Sequence, residues 1–329
     1  MIQFKALQKA KVAPMPRWQE PMLATLTYDY FSKADWLYEC KFDGERCLTY
    51  YRPGDGVVLY SRNKQILNAV YPELVKALEA CSSKKFIIDG EIIALNEQQV
   101  SSFSKLQGRI GIHNPTKAEI ERTPVYYCVF DILYFDKYDL RWLPLIERKA
   151  ILKGAIQFKK PVSYTEHKLK EGLRYYKFAC SKSWEGVIAK NIYSTYQNRR
   201  SRDWLKFKCG NQQEFVIIGY TEPKGSRLGL GALLIGYYDK QGDLHYAGKV
   251  GTGFNRVTLK SLAGTLALLK QGSSSSVEQV KENSVNWVKP ELVCEVGFTE
   301  WTKDKKLRHP RYLGLRTDKD AKDVFKETL

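Results

Sequence analysis

No segment of this 329-residue chain is long and apolar enough to span a membrane, and its opening, MIQFKALQKAKVAPMPRW, lacks the apolar core of a secretory leader. Both absences point to a protein of the cytoplasm or nucleoid. Cysteine is present without pattern. Cys40, Cys47, Cys81, Cys128, Cys180, Cys209 and Cys294 are odd in number and form no CxxC pair, which argues against a disulfide framework and a thiolate zinc cluster. The histidines His113, His167, His245 and His309 have no spacing suited to zinc, and none is near a candidate serine nucleophile. Acid is scarce: 36 Asp and Glu face 53 Lys and Arg, a formal charge of +17. With 43% hydrophobic and 13% aromatic residues, a folded chain this basic favours a polyanionic partner. Charge alone does not choose among duplex DNA, RNA and an anionic membrane.

The length allows two compact domains. In the first part, WLYECKF, GERCLTYYR, GVVLYS, KFIIDGEIIAL, VYYCVFDILYF, WEGVIAK and DWLKFKCG alternate as strands do, while YPELVKALEAC, LPLIERKAILKGA and HKLKEGLRYYKFAC carry helical periodicity. Short turns between strands predict an α+β domain with antiparallel sheets. After Cys209-Gly210 the texture changes to short strands between Gly-rich turns, with one helix, VTLKSLAGTLALLK, and an exposed run, QGSSSSVEQ. This pattern fits a small β-barrel of the oligonucleotide-binding (OB) type, with a β-sandwich as the alternative. The expected organisation is a basic lead over 1–20, an α+β domain over 21–210 and an OB-fold domain over 211–329. The lead carries Lys5, Lys9, Lys11 and Arg17 and no acid through Trp18, as suits either a phosphate-binding arm or a disordered tail. The Gly-rich GSRLGLGALLIG precedes strand-like sequence instead of opening a helix after a strand, so a dinucleotide reading is weak.

One stretch, Glu39-Cys-Lys-Phe-Asp-Gly-Glu-Arg46, combines a lysine, flanking acids and an Asp-Gly turn. Alone it reads as a hairpin. An ammonium at its ordinary pKa near 10 is no nucleophile, but crowding by other cations makes it one. In DWLKFK, two-residue alternation puts Lys206 and Lys208 on one face of a strand, able to crowd Lys41 and bind phosphate. Asp89-Gly-Glu91 and Glu185-Gly186 place carboxylates in apolar strand contexts, where acids are rare unless they hold a cation. Such acids beside three lysines suit phosphate with Mg²⁺.

Taken in order, ECKFDGER, SRN, IDGE, FDILYFD, EGVIAK and DWLKFK resemble the nucleotidyltransferase motifs of ATP-dependent DNA ligases. LGLGALLIGYYD, YAGKVGTGF and LRHPRYLGLRTDKD resemble the ligase modules of bacterial end-joining ligases and related minimal ligases. The likeness runs from about Pro21 to about Val324. It implies a nucleotidyltransferase domain followed by an OB-fold domain, with Lys41 taking AMP from ATP, Glu39 facing the adenine, Arg46 reaching the ribose and Arg62 a phosphate. It further implies that Glu91 holds the ribose and assists Mg²⁺ or Mn²⁺, Phe130 stacks on adenine, Glu185 serves the metal, and Lys206 and Lys208 bracket the α-phosphate. Arg200 or Arg202 adds a phosphate contact, although Asn198 stands where the family has glycine. Arg308, Arg316, Asp318 and Lys319 match the motif that closes on the β and γ phosphates, with Asp318 toward the metal.

The implied activity is sealing of 5′-phosphate/3′-OH nicks in duplex DNA through lysine-AMP and DNA-adenylate, by a monomer working with end-bridging or polymerase repair proteins and with no membrane. An RNA ligase or an mRNA capping-type enzyme shares the lysines and is told apart by its product. A non-catalytic nick-binding clamp would have lost the lysine or the acids, all of which are present.

Overall fold

The computed structural model describes residues 6–223, 229–282 and 284–327. The chain divides after Cys209 into two compact units. Among the described residues no helix is long and apolar enough to cross a membrane.

The first unit contains β1 (Lys11–Val12), β2 (Leu23–Leu26), β3 (Trp36–Lys41), β4 (Glu45–Arg52), β5 (Gly56–Ser61), β6 (Phe86–Ala94), β7 (Val125–Phe135), β8 (Tyr138–Asp139), β9 (Val162–Tyr164), β10 (His167–Leu169), β11 (Gly186–Asn191) and β12 (Arg200–Lys208). Its helices are α1 (Pro72–Glu79), α2 (Phe103–Leu106), α3 (Lys117–Arg122), α4 (Leu145–Ala155) and α5 (Gly172–Ser181). The strands form two sheets, one ordered β1-β8-β7-β6-β4-β5 with β9 beside β7, the other β10-β3-β11-β12-β2. Most pairings are antiparallel; β12 with β2 and β7 with β9 are parallel.

Alternation sorts each strand's residues into layers. On one face of the larger sheet, Cys47, Ile88, Ile92 and Val129 pack with Leu74 and Leu78 of α1 and Ile151 and Leu152 of α4. On the other, Leu48, Tyr50, Ile87 and Phe130 meet Trp204 of the smaller sheet. The far face of the smaller sheet, with Tyr38, Val187, Ala189, Leu205 and Phe207, is closed by Ala179 of α5. The layers therefore run helices, sheet, sheet, helix, with an inner space between the sheets.

The Asp43-Gly44 turn is not a hairpin, because β3 and β4 belong to different sheets. It carries the chain across the inner space. Asp43 accepts from the Phe103 N–H at 2.9 Å, and a Cβ on Gly44 would lie 2.3 Å from the Ile92 carbonyl oxygen, so only glycine fits. The described part of the basic lead is folded onto this unit: β1 pairs with β8, Ala6 joins the core, and Tyr134 donates to the Ala13 carbonyl at 3.0 Å. Lys5 lies outside the described residues.

The second unit contains β13 (Asn211–Thr221), β14 (Leu233–Tyr238), β15 (Leu244–Val250), α6 (Arg256–Ala267), β16 (Val285–Trp287), β17 (Val293–Phe298), β18 (Glu300–Trp301), β19 (Leu307–Arg308) and β20 (Arg311–Leu315). Asn255 caps α6 by accepting from the Thr258 N–H at 2.8 Å, and Leu259, Leu262 and Leu266 pack into the core with Ile217, Ile235 and Val296. The sheet runs β15-β14-β13-β17-β20, with β16 also on β13. This corrects the expected OB-fold barrel. No sheet closes on itself: among the described residues β15 and β20 are edge strands that form no ladder with each other, and an isolated bridge joins Thr252 to Arg311. A barrel requires the two edges to exchange hydrogen bonds in a matched stagger. Strand periodicity reports which residues face inward and carries no information on whether edges meet. In GSRLGLGALLIG, residues 225–228 lie outside the described residues.

A second correction concerns sulfur. Cys180, in α5, and Cys209, just after β12, form a disulfide across a Cα–Cα distance of 5.1 Å. Their separation of 29 residues carries no pairing signal in the sequence.

Candidate active site

The central strands of the smaller sheet set a grid. Register aligns Lys41 with Gly186 and Gly186 with Lys208; one step in, Glu39 with Ile188 and Ile188 with Lys206; a further step, Leu37 with Lys190 and Lys190 with Trp204. All nine positions share the face opposite the α5 layer. Gly186 stands between the two lysines because a side chain would not fit: its Cβ would lie 2.0 Å from the Phe207 carbonyl oxygen. That close approach lets β3 and β12, on either side of β11, bring Lys41 and Lys208 to one end of the sheet.

Lys41 ends β3 with its side chain 16% exposed and donates to Glu185, the residue preceding β11. Lys208 is buried and Lys206 half-buried. Trp204, Phe130 and two cations stack inward of them. Lys190 Nζ lies 4.1 Å from the Phe130 ring centre and 4.0 Å from that of Trp204, and the Arg46 guanidinium lies 4.5 Å from Phe130. Among the described residues the buried Trp204 indole N–H has no hydrogen-bond partner.

Phe130 owes its position to a β-bulge. Pairing of β6 with β7 passes from Asp89↔Asp131 to Gly90↔Val129, so Phe130 has no partner opposite and its ring turns inward beside Trp204, as a bulge re-aims a side chain. On the neighbouring strand, Arg46 grips Asp89 with two bonds of 2.6 Å. Tyr196 donates to the same carboxylate at 2.6 Å. Burial works against the Arg46 charge, but the Asp89 carboxylate outweighs it and raises the pKa. Glu91 is half-buried on β6, opposite Arg46, and Arg62 is half-buried just past β5.

Glu39 is fully buried between two lysines, Lys149 of α4 and Lys190 of β11, the latter at 2.6 Å. Burial pushes its carboxyl up, yet the two ammonium groups more than offset this and hold it below the ordinary carboxylate range. Burial lowers the Lys190 pKa against the pull of Glu39. Lys149 also donates to the carbonyls of Thr165 and Phe130 at 3.0 and 3.3 Å. Behind it Arg148 and Asp131 form a completely buried bidentate pair with both bonds at 2.8 Å.

Lys149, Lys190 and Trp204 carry no role in the sequence reading above, where Asp89 stands only as a carboxylate in an apolar strand context. Asp89 and Lys190 fall inside motifs quoted above, so their strand parity was the available signal. Lys149 lies on a basic helix, where the sequence gives no hint that one lysine turns inward.

The second unit gathers the C-terminal residues differently. Arg316 is half-buried and bonds Asp318 at 2.8 and 2.9 Å and Glu295 at 3.0 Å. Lys319 meets Glu214 at 3.1 Å. Arg308, 58% exposed, pairs with Glu300 at 2.6 Å. Arg200 is exposed and donates to the Ala24 carbonyl at 2.6 Å; Arg202 is exposed.

No group of three or more His, Cys, Asp or Glu able to hold a metal forms among the described residues. Glu91 and Glu185 each carry hard oxygen donors of the kind Mg²⁺ takes, an ion that uses few protein ligands and fills its shell with water and phosphate.

The family profile described as "ATP dependent DNA ligase domain" matches residues 21–208, and that described as "ATP dependent DNA ligase C terminal region" matches 226–319. The multifunctional non-homologous end joining protein LigD of Pseudomonas aeruginosa is 37% identical over 95% of this chain, which spans 37% of that relative's length. A DNA ligase of Thermococcus onnurineus is 31% identical over 88% of this chain and 53% of its own. Among solved structures, mycobacterial DNA ligase D complexed with ATP and MES superposes with a TM-score of 0.68 at 32% identity, covering 93% of this chain and 97% of that one. The lysine-edged grid and the profile match over more than half of the sequence agree: the chain belongs to the ATP-dependent DNA ligases.

Proposed function

We propose that Lys41 is the nucleophile with which this ATP-dependent DNA ligase takes AMP from ATP and passes it to the 5′-phosphate of a nick. The observation that carries this reading is the alignment of Lys41, Gly186 and Lys208 across three strands, with Glu185 on the Lys41 ammonium. The attacking group must be the free amine. Glu185, whose carboxylate accepts from the Lys41 ammonium, is placed to take that proton. The Nζ lone pair bonds to the α-phosphorus as the bond to pyrophosphate breaks, and pyrophosphate leaves with the electron pair. Lys206 and Lys208 counter the charge on the α-phosphate. In the later steps the 5′-phosphate oxygen displaces Lys41 from AMP, and the 3′-OH then displaces AMP.

Phe130 and Trp204 form the aromatic wall for the adenine, with Glu39 behind it, and Arg46 and Glu91 lie toward the ribose. The unmet Trp204 N–H is a donor available to the nucleotide. Glu185 and Glu91 would hold Mg²⁺ or Mn²⁺, which when bound neutralises phosphate charge. Arg62 and Arg200 serve phosphates. Arg308 and Lys319 address the leaving pyrophosphate, while a role for Arg316 at the nucleotide and Asp318 at the metal requires their mutual pair to open first.

The likeness to end-joining relatives supports a setting in break repair on nicked duplex DNA; the proposal further takes the enzyme to work as a monomer at the nucleoid with end-bridging or polymerase proteins. Incubation with α-labelled ATP or GTP and Mg²⁺, then a denaturing gel, tests the reading. Label on the protein from ATP and not from Lys41→Ala is expected; GTP labelling, or equal labelling of the variant, overturns it.

A further inference from the structure

The basic helix α5 has one face that closes the back of the catalytic sheet, through Ala179, and another that faces solvent. The solvent face shows Leu173, Arg174, Lys177 and Phe178, followed by Lys182. Phe178 is 45% exposed. It is held in place by its neighbours: Trp184 meets it edge-on at 5.5 Å, Tyr175 stacks at 6.3 Å, and the Lys182 ammonium lies 5.9 Å from its ring centre. The preceding segment adds exposed Lys168 and Lys170. Against these cations the same face carries Glu171, which is bonded to Arg174 at 3.1 Å. A fixed aromatic ring among like charges is more than solvated lysines need, and it matches a polyanion.

Position decides which polyanion. The helix runs toward the nucleophile: Trp184 directly precedes Glu185, whose carboxylate accepts from Lys41. The C-terminal half of α5 and the reactive lysine therefore share one end of the smaller sheet. We infer that Lys177, Phe178 and Lys182 form a contact surface for the phosphate-sugar backbone of duplex DNA flanking the nick. The inference rests on the ligase reading and assigns a grip outside the nucleotide pocket. Contacts of this kind hold register and carry no base information, so the surface is indifferent to sequence.

The test uses the full chain and a nicked duplex bearing a 5′-phosphate, with binding measured across a salt series. In Lys177→Gln/Lys182→Gln the slope of log affinity against log salt should fall by no more than roughly 2 × 0.9 units, with weaker binding at low salt. Phe178→Ala should weaken binding severalfold while leaving the slope unchanged, since no charge is removed. Both variants should form enzyme-AMP at the parent rate. A control, Lys76→Gln/Lys117→Gln on α1 and α3, should bind as the parent does. Unchanged nick affinity in both α5 variants would overturn the inference and leave the surface to an acidic protein. An equal loss in the control would overturn it as well, reducing the effect to net charge. Failure of the parent to take AMP from ATP counts against the ligase reading alone, because the binding slope reads this surface independently.

Discussion

The two units hold their inner charges in opposite ways. Between the sheets of the first, six cations (Lys41, Arg46, Lys149, Lys190, Lys206 and Lys208) meet four carboxylates (Glu39, Asp89, Glu91 and Glu185). In the second, Arg316 and Lys319 meet three, Glu214, Glu295 and Asp318. The first cluster sets cations against the rings of Phe130 and Trp204. The second sets its cations against acids drawn from separate segments. There the ion pairs bind the segment after strand β20 to β13 and β17.

The contrast is open to direct attack. The largest effect is expected at Lys41. Lys41→Ala should reduce enzyme-AMP formation below detection while leaving sealing of a pre-adenylated nick measurable, because that substrate bypasses the two steps in which the amine takes and gives up AMP. Undiminished adduct formation would remove Lys41 from the mechanism.

Next come the buried partners. Glu39→Ala leaves Lys149 and Lys190 uncompensated and should destabilise the first unit by about 3–5 kcal/mol, read by denaturant unfolding. Arg316→Ala leaves three acids without their common partner and should cost the second unit a similar amount. If Arg316→Ala instead abolishes enzyme-AMP formation with unfolding unchanged, Arg316 belongs to the nucleotide and the comparison between units fails.

A milder separation comes from cutting the chain after Gly210. The remaining unit should lose reaction with ATP more severely than sealing of a pre-adenylated nick, since Arg308 and Lys319 go with the removed part. Equal rates of adenylation for the cut and full-length proteins would deny those residues a part in pyrophosphate departure.

The smallest effect concerns pH. His245 lies between Asp239 at 2.9 Å and Glu278 at 2.7 Å. Hydrogen bonds to Asp239 and Glu278 raise its pKa above the ordinary 6.5. Its contribution to stability is therefore complete below about pH 6.5 and fades as pH rises through the raised value. The second unit should melt at a slightly lower temperature at pH 8.5 than at pH 6, and His245→Gln should flatten that dependence. A slope identical in the variant would show that the histidine is not its source.

Much of the site could be read from residue order. Alternation alone put Lys206 and Lys208 on one face, and it put carboxylates at Glu91 and Glu185 among apolar neighbours. The helices at 72–79, 145–155, 172–181 and 256–267 follow from their 3.6-residue periodicity, because an amphipathic stripe is a local property of the chain. What needed three dimensions was pairing. The alignment of Lys41 with Lys208 depends on β11 lying between β3 and β12, strands more than 140 residues apart in sequence. The inward turn of Lys149 depends on where α4 docks, and the exposure of Phe130 to the site depends on a one-residue bulge.

By itself the sequence determined most of the longer strands and helices, the excess of positive charge and the ordered lysine and acid motifs, since each depends on side chains within a few residues of one another; His167–Leu169, at the start of the helical stretch HKLKEGLRYYKFAC, instead pairs as β10 with β3. Tertiary structure alone decided that the Asp43-Gly44 turn crosses between sheets, that Cys180 meets Cys209, and that the second unit's sheet stays open. Each of these turns on which distant backbone segments approach closely enough to exchange hydrogen bonds or a covalent bond, and a one-dimensional pattern of polarity does not encode that distance.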